Sequence, residues 1–432
     1  MIEQLFSLAK QKNIKDLEIL TSQGQNFSVQ AYEGKIESYK KTNTGGIGIR
    51  GTFNERTGYA YTERVKPEEF DNLIDMLKAN ASLMDEKEPL FQVKQEGHWR
   101  DIKPELPDDK QIELALQLEA EAGQAEEVSS VSYALVSSGH AVRRIANTYG
   151  VDKTHESNYS MVYLSVVVKR GAEVETDGAY YTGDIRQFSK RELIEEVVGK
   201  ARRKLGGRPI KTGSYAAVLD RKIICSLLST YSGVFSARSI LQGTSRLEGR
   251  LGEKLLGSLT LLDDPDTGYE QVPFDDEGVN TEKLYLVRDG VLESYLHSLQ
   301  SAVDMKQTPT GHGIRSYKGT VQIAPHRMQI PNGVVPLESL FSTMHNGLYV
   351  TDVQGLHSGT NIVSGDFSLA CQGHWIENGQ IIHPVKDITI AGNFFDLFAA
   401  IEQSADDFKF SPPGPSQYGA PSILFPHLSV SS

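Results

Sequence analysis

The feature that most restricts the fold is an order of patterns that runs twice and then stops. Residues 1–10 have helical spacing, Phe27 to Thr62 reads as extended chain broken by turn residues, and Pro67 to about Met84 returns to helical spacing. Pro67 suits a first helical turn, where a missing N–H loses no partner. The same order follows again: a helix over Asp109 to Gly123, strands from Val128 to Tyr181, and a helix from Ser189 to Leu205. Gly58-Tyr59-Ala60-Tyr61-Thr62 even resembles Gly178-Ala179-Tyr180-Tyr181-Thr182. Between the two runs, Glu86 to Pro107 is polar and punctuated by proline, which predicts a linker joining two copies of one α+β unit, over 1–85 and 108–205.

Gly206-Gly207-Arg208-Pro209 ends the pattern. The rest is strand-rich, with helical patches at Lys222 to Ala237 and Pro336 to His345. Asp289-Gly290 and Asn378-Gly379 are pairs favoured in two-residue hairpins, because both positions need a positive φ, and Glu33-Gly34-Lys35 marks a further turn. The expected fold is α+β: N-terminal duplicated α/β units over 1–207, then a strand-rich, mixed or barrel-like domain over 208–432.

Charge and composition exclude several functions. A formal charge of −12 opposes a phosphate backbone, and the densest basic run, Lys200 to Lys211, reads as a helix end passing into a linker, so no nucleic-acid partner is expected. No apolar run approaches the about 18 residues that would span a bilayer, so no membrane partner is expected either. Two cysteines cannot make a disulfide framework, and the first residues lack the apolar core of a signal peptide, so a cytoplasmic location is expected. Gly46-Ile47-Gly48-Ile49-Arg50-Gly51 spells a dinucleotide fingerprint, but strand and turn follow where a helix must begin, so the nucleotide reading is rejected. Neither a P-loop nor a G-x-S-x-G elbow occurs.

Metal ligands are the harder question. Cys371, His374 and His383, with Asp366 upstream, have the composition of a zinc set. Cys371 and His374, three apart on a strand, point to opposite faces unless Gly373 bulges. Counting outward from Asn378-Gly379 places His374 opposite His383, which predicts a cross-strand surface pair able to hold only an adventitious metal. Asp275, Asp276 and Glu277 stand together before Gly278 without the spacing of a calcium loop, so a solvated turn is expected. Thr310 and His312 lie in the glycine-rich loop Thr308 to Gly313, which suits the lining of a substrate cleft, although His312 has no partner at a fixed spacing.

Together these loops resemble one family. Phe274-Asp275-Asp276-Glu277-Gly278-Val279, then Arg288-Asp289-Gly290-Val291-Leu292, are similar to the FD-x-EG-V and GxL block of the TldD/PmbA peptidases, and Thr308 to Gly313 is similar to their TPTG-x-G loop. Ser364-Gly365-Asp366-Phe367-Ser368, Gly373-x-Trp375-Ile376-Glu377-Asn378-Gly379, Pro384-Val385 and Ile388 to Asn393 resemble the PmbA (TldE) branch in order and spacing. Gly45 to Gly51 and Gly58-Tyr59-Ala60 look like that family's first domain, so the likeness covers most of the chain.

The resemblance implies that TldD-type members hold zinc through His-Glu-x-x-x-His on a helix and a cysteine near the C-terminus. The matching helix here, Ile223 to Ala237, has neither His nor Glu, with Leu228, Ser229 and Gly233 at the degenerate ligand positions, and Phe408 to Pro421 has no Cys. The resemblance therefore implies a subunit with no zinc of its own, inactive alone, paired with a zinc-bearing TldD-type subunit that matures or degrades unfolded peptides. The family's other description, modulator of DNA gyrase, finds no support in the acidic balance. Two alternatives stand beside this reading: a homodimeric peptide-binding module without hydrolysis, and a different enzyme using Asp275, Asp276, Glu277 and His312.

Overall fold

The computed structural model describes residues 1–84 and 87–432. The fold is α+β, and the repeated order is visible in it. The first run is α1 (Ile2–Gln11), β1 (Lys15–Tyr32), β2 (Lys35–Phe53), β3 (Arg56–Thr62) and α2 (Phe70–Ala81). After β4 (Gln95–Asp101) comes the second, with α3 (Asp108–Gly123), β5 (Val128–Asn147), β6 (Val151–Arg170), β7 (Glu173–Thr182) and α4 (Lys190–Lys204). Both runs build one seven-stranded sheet, meeting where β1 pairs antiparallel with β5 from Glu18↔Asn147 to Ala31↔Ala134.

Strand alternation sorts the two faces of this sheet. Leu17, Ile19, Phe27, Val29 and Ala31 of β1 pack in the cores that the helices cover. Glu18 and Leu20 point the other way, toward the C-terminal half of the chain.

The stretch expected as a linker is not one throughout. Its first residue, Glu86, lies outside the described residues, but Gln95–Asp101 is β4, paired parallel with β6, with Trp99 opposite His155. Beta4 shares one edge of β6 with β7, and its Gln-Glu-Gly-His-Trp-Arg-Asp sequence has no apolar alternation because neither of its faces is fully buried. Extended chain also begins at Lys15, earlier than Phe27.

In the C-terminal half, β8 (Gly213–Leu219) joins strands Gly347–Gln354, Asp366–Glu377, Gln380–Asn393 and Ile423–Ser431 in a five-stranded barrel, closed where Thr389 to Ala391 pair with Ser429 to Ser431. A second, half-barrel sheet contains Leu261–Asp263, Leu284–Arg288, Arg327–Gln329, Lys409–Phe410 and Gln417–Ala420. Helix α5 (Arg221–Tyr231) buries Ile223, Ile224, Leu227, Leu228 and Tyr231 in the core that both sheets share.

The three turn pairs hold. Glu33-Gly34 has φ of 48° and 70°, Asp289-Gly290 48° and 81°, and Asn378-Gly379 50° and 75°, the doubly positive geometry of a type I′ turn. Register past the last turn is another matter. Glu377 pairs with Gln380 as counted, but the ladder slips between Trp375 and Ile376, so Trp375 faces His383 and His374 faces Pro384. No His374–His383 cross-strand pair forms, and His374 is 5% exposed rather than on the surface.

Candidate functional site

The two loops singled out in sequence do converge, in a sealed interface. Asp275 accepts three backbone N–H bonds, from Glu277, Val279 and Gly313, each at 2.9 Å. Asp276 pairs with Arg143 at 2.8 Å and accepts the Arg315 amide at 2.8 Å. Glu277 pairs with Arg50 at 3.1 Å and accepts the Leu299 amide at 2.8 Å. Glu18 then binds both Arg50 (2.9 Å) and Arg315 (2.8 Å).

Asp275, Asp276 and Glu277 are buried, so the solvated turn expected there is instead a plug from the C-terminal half set against the sheet face that the helices leave bare. Burial, and then the neighbouring Glu277, push the Asp275 carboxyl up; burial also pushes Glu277 up, with Arg50 opposing. A sequence scan missed Arg50, Glu18, Arg143 and Arg315 because each lies on a different element.

His312 has a partner after all. Its Nδ1 meets the Thr310 hydroxyl at 2.9 Å, its Nε2 lies 3.5 Å from Asp263, and its ring stacks on His326 with centroids 5.1 Å apart. His326 donates from Nε2 to the Gly311 carbonyl at 2.7 Å, and burial pushes its pKa down to about 3. His312 is 1% exposed, and neither it nor Thr310 lines the large cavity described next. Asp366 lies elsewhere, at a strand start, accepting from Ser364 (2.7 Å) and Asn393 (2.8 Å). The structure does not bring it together with the other acidic residues.

The open site is a cavity of about 1610 Å³ between β6, β7 and α4 on one side and α5, Lys409–Phe410 and Tyr349 to Asp352 on the other. Helix α5 begins at the N-cap Asp220, whose carboxylate accepts the Lys222 amide at 2.9 Å and the Tyr349 hydroxyl at 2.6 Å. With that start fixed, helical periodicity turns Lys222, Cys225, Ser226, Ser229 and Thr230 to the cavity.

Of the expected ligand positions, only Ser229 faces this space. Leu228 is in the core, and Gly233 is exposed in the short turn past the helix end. Helix α5 stops at Tyr231 and points Leu228 inward.

Opposite α5, Lys204 binds Asp177 (2.9 Å) and Asp352 (3.4 Å), and Lys222 approaches Asp352 at 3.5 Å. His374 donates from Nε2 to the Arg203 carbonyl at 3.2 Å and stacks on Tyr349, while burial pushes its pKa down to about 4. Cys371 parts from it as alternation requires, packing in the barrel core, where burial pushes its thiol up to about 12. The basic run Lys200 to Lys211, read as a helix end passing into a linker, leaves its helix at Lys204, and Lys200, Arg203 and Lys204 form this wall. Only helical phasing combined with knowledge of the facing strand would have revealed it.

Comparison with known proteins settles the family. Models of the PmbA/TldA metallopeptidase match residues 17–81 (domain 1), 102–205 (central domain) and 212–432 (C-terminal domain). The chain belongs to the PmbA/TldD family. Similar PmbA/TldD proteins include the "Metalloprotease PmbA homolog" of Haemophilus influenzae, 28% identical over 96% of this chain and 92% of that one. The "Metalloprotease PmbA" of Escherichia coli O157:H7 is 26% identical over 96% and 91%. A Thermotoga maritima MSB8 structure, described as a candidate modulator of a DNA gyrase, superimposes with a TM-score of 0.91 at 26% identity, over 100% of this chain and 99% of that one. TldE from Thermococcus kodakarensis shares the fold, with a TM-score of 0.89 at 22% identity over 99% and 100%.

PmbA/TldD resemblance raises the question of zinc on α5, and the residues there do not fit it. Zinc takes thiolate, imidazole or carboxylate. The cavity face of α5 offers one lysine, three hydroxyls and Cys225, whose thiol burial pushes up to about 12 and whose Sγ leans on the Lys409 carbonyl at 3.6 Å. Among the described residues, no three His, Cys, Asp or Glu side chains are grouped to hold a metal. No helix among them is long and apolar enough to cross a membrane.

Proposed function

We propose that this chain is the non-catalytic, PmbA/TldE-like subunit of a cytoplasmic two-subunit metallopeptidase that matures or degrades unfolded peptides. The supporting observation is the cavity face of α5, which offers a lysine, a thiol that burial keeps protonated and three hydroxyls, and no imidazole or carboxylate. A hydrolytic zinc centre also needs a carboxylate or similar base beside the metal water, and α5 carries none. The cavity is then this subunit's share of the peptide-binding space, and the zinc-bearing centre comes from a TldD-type partner.

Arg221, Lys204, Tyr180, Tyr349 and Tyr418 would hold and orient the chain of a bound peptide by hydrogen bonds and aromatic contact. Co-expression with a TldD-type chain from the same genome tests the reading. The pair should co-purify and cleave an unfolded peptide, with a chelator stopping cleavage, and neither chain should do so alone. Chelator-sensitive cleavage by the isolated chain would overturn it.

A further inference from the structure

The reading of the cavity as peptide-binding space leaves open which part of a peptide it holds. Four half-buried cations line the wall: Lys200, Lys204, Arg221 and Lys409. Lys200 has Glu196 at 2.5 Å, Lys204 has Asp177 and Asp352, and Arg221 has Asp407 at 3.7 Å. Lys409 has no carboxylate within 4.0 Å among the described residues. Its ammonium donates to the Tyr180 carbonyl at 3.3 Å and lies 4.6 Å from the centre of the Tyr180 ring. An ammonium has three donors, and that carbonyl takes one.

The surrounding charges do not complete the shell. Glu196 is held by Lys200, and Asp220 by the Tyr349 hydroxyl and the Lys222 amide. Burial makes the Lys409 ammonium easier to deprotonate, with Glu196 and Asp220 opposing and Arg221 and Lys200 acting in the same direction as burial. The wall thus presents a fixed cation, desolvated and flanked by Tyr180, Phe410 and Tyr418, to an open cavity.

We propose that the Lys409 wall is a carboxylate subsite, which takes the C-terminal carboxylate or an acidic side chain of a peptide in the cavity. The inference rests on the peptide reading and is separable from it. Binding of three unfolded decapeptides of small polar sequence, labelled at the N-terminus, would be followed by fluorescence anisotropy on the full chain. One ends in a free carboxylate, one in an amide, and one in an amide with an internal Glu.

The free acid, the Glu peptide or both should bind about tenfold tighter than the plain amide, the scale of one hydrogen-bonded charge pair. Which of the two does so identifies the source of the carboxylate. Lys409→Gln and Lys409→Met should remove that preference while leaving the plain amide's affinity unchanged. Arg191→Gln, which removes an exposed cation of α4 that does not line this cavity, should keep it. Equal binding of all three peptides, or a preference that survives both Lys409 variants with native circular dichroism, would overturn the inference and leave the peptide reading intact. If no peptide binds either this chain or its complex, the peptide reading falls, and the inference with it.

Discussion

Arg50→Met is the sharpest test of the plug. Arg50 is 1% exposed, and its guanidinium serves Glu18 (2.9 Å through Nε, 3.2 Å through Nη2) and Glu277 (3.1 Å). Methionine fills much of the same volume, so packing changes little and the charge change dominates. Removing one partner of a buried ion pair leaves an uncompensated charge, at about 3–5 kcal/mol. Glu18 keeps Arg315 at 2.8 Å, so the exposed liability is mainly Glu277, whose remaining support is the Leu299 amide.

The chain has two tryptophans, and Trp99 packs 5.3 Å from Phe274 at the plug, so a Trp375→Phe background makes fluorescence report that interface alone. Urea unfolding in this background should show Arg50→Met losing about 3–5 kcal/mol. Adding Glu277→Gln should restore at least about 1 kcal/mol, because the stranded carboxylate becomes neutral. A loss under about 1 kcal/mol, or a double variant no better than the single one, would refute the claim that this ion cluster fastens the two halves.

Other expectations follow from particular residues. Burial lowers the His374 pKa to about 4, so the unfolded chain takes up its proton first, and stability from this group is full above about 6.5 and lost as pH falls toward 4. His374→Gln should therefore flatten the fall in unfolding free energy between these values by about 1.4 kcal/mol per pH unit, read by urea titration at several pH values. Gly290→Ala should destabilise far more than Gly34→Ala: both have positive φ, but a Cβ at 290 would lie 2.1 Å from the Gly257 carbonyl, whereas at 34 nothing lies within 4 Å. Thermal melts of the pair should show Gly34→Ala losing only about 1–2 kcal/mol. Burial pushes both thiols up to about 12, so Cys225 and Cys371 should resist a thiol reagent at pH 8 until the chain is unfolded, which a colorimetric thiol assay reads directly.

Legibility of the sequence varied with how local each signal was. Asp289-Gly290 and Asn378-Gly379 were readable because a doubly positive φ is a property of two residues and their turn. The helices were readable because one face of each repeats its apolar residues, as Leu73, Ile74 and Leu77 do in α2. Beta4 was not, since an edge strand exposed in part on both faces has no reason to alternate. The position of His374 was lost to a single slip in the ladder after Trp375, which no count outward from a turn can see. Asp275, Asp276 and Glu277 were visible as a cluster, but their role depends on Arg50 and Arg143, brought from the other half of the chain. The cavity wall is the extreme case: Lys204, Arg221, Tyr349 and Lys409 become neighbours only through the closure of separate sheets.

The plug also sets an order of events at the ribosome. Glu18 and Arg50 are made early and can pair with each other as soon as β1 and β2 meet, yet Arg315 and Glu277 arrive only after most of the chain has been synthesised. Until then the sheet face carrying that pair, with Leu20 and Ile145 beside it, stands open to water and to any sticky neighbour. Nascent chains cut between residues 206 and 277 should therefore recruit holding chaperones, and should release them once residue 315 has emerged.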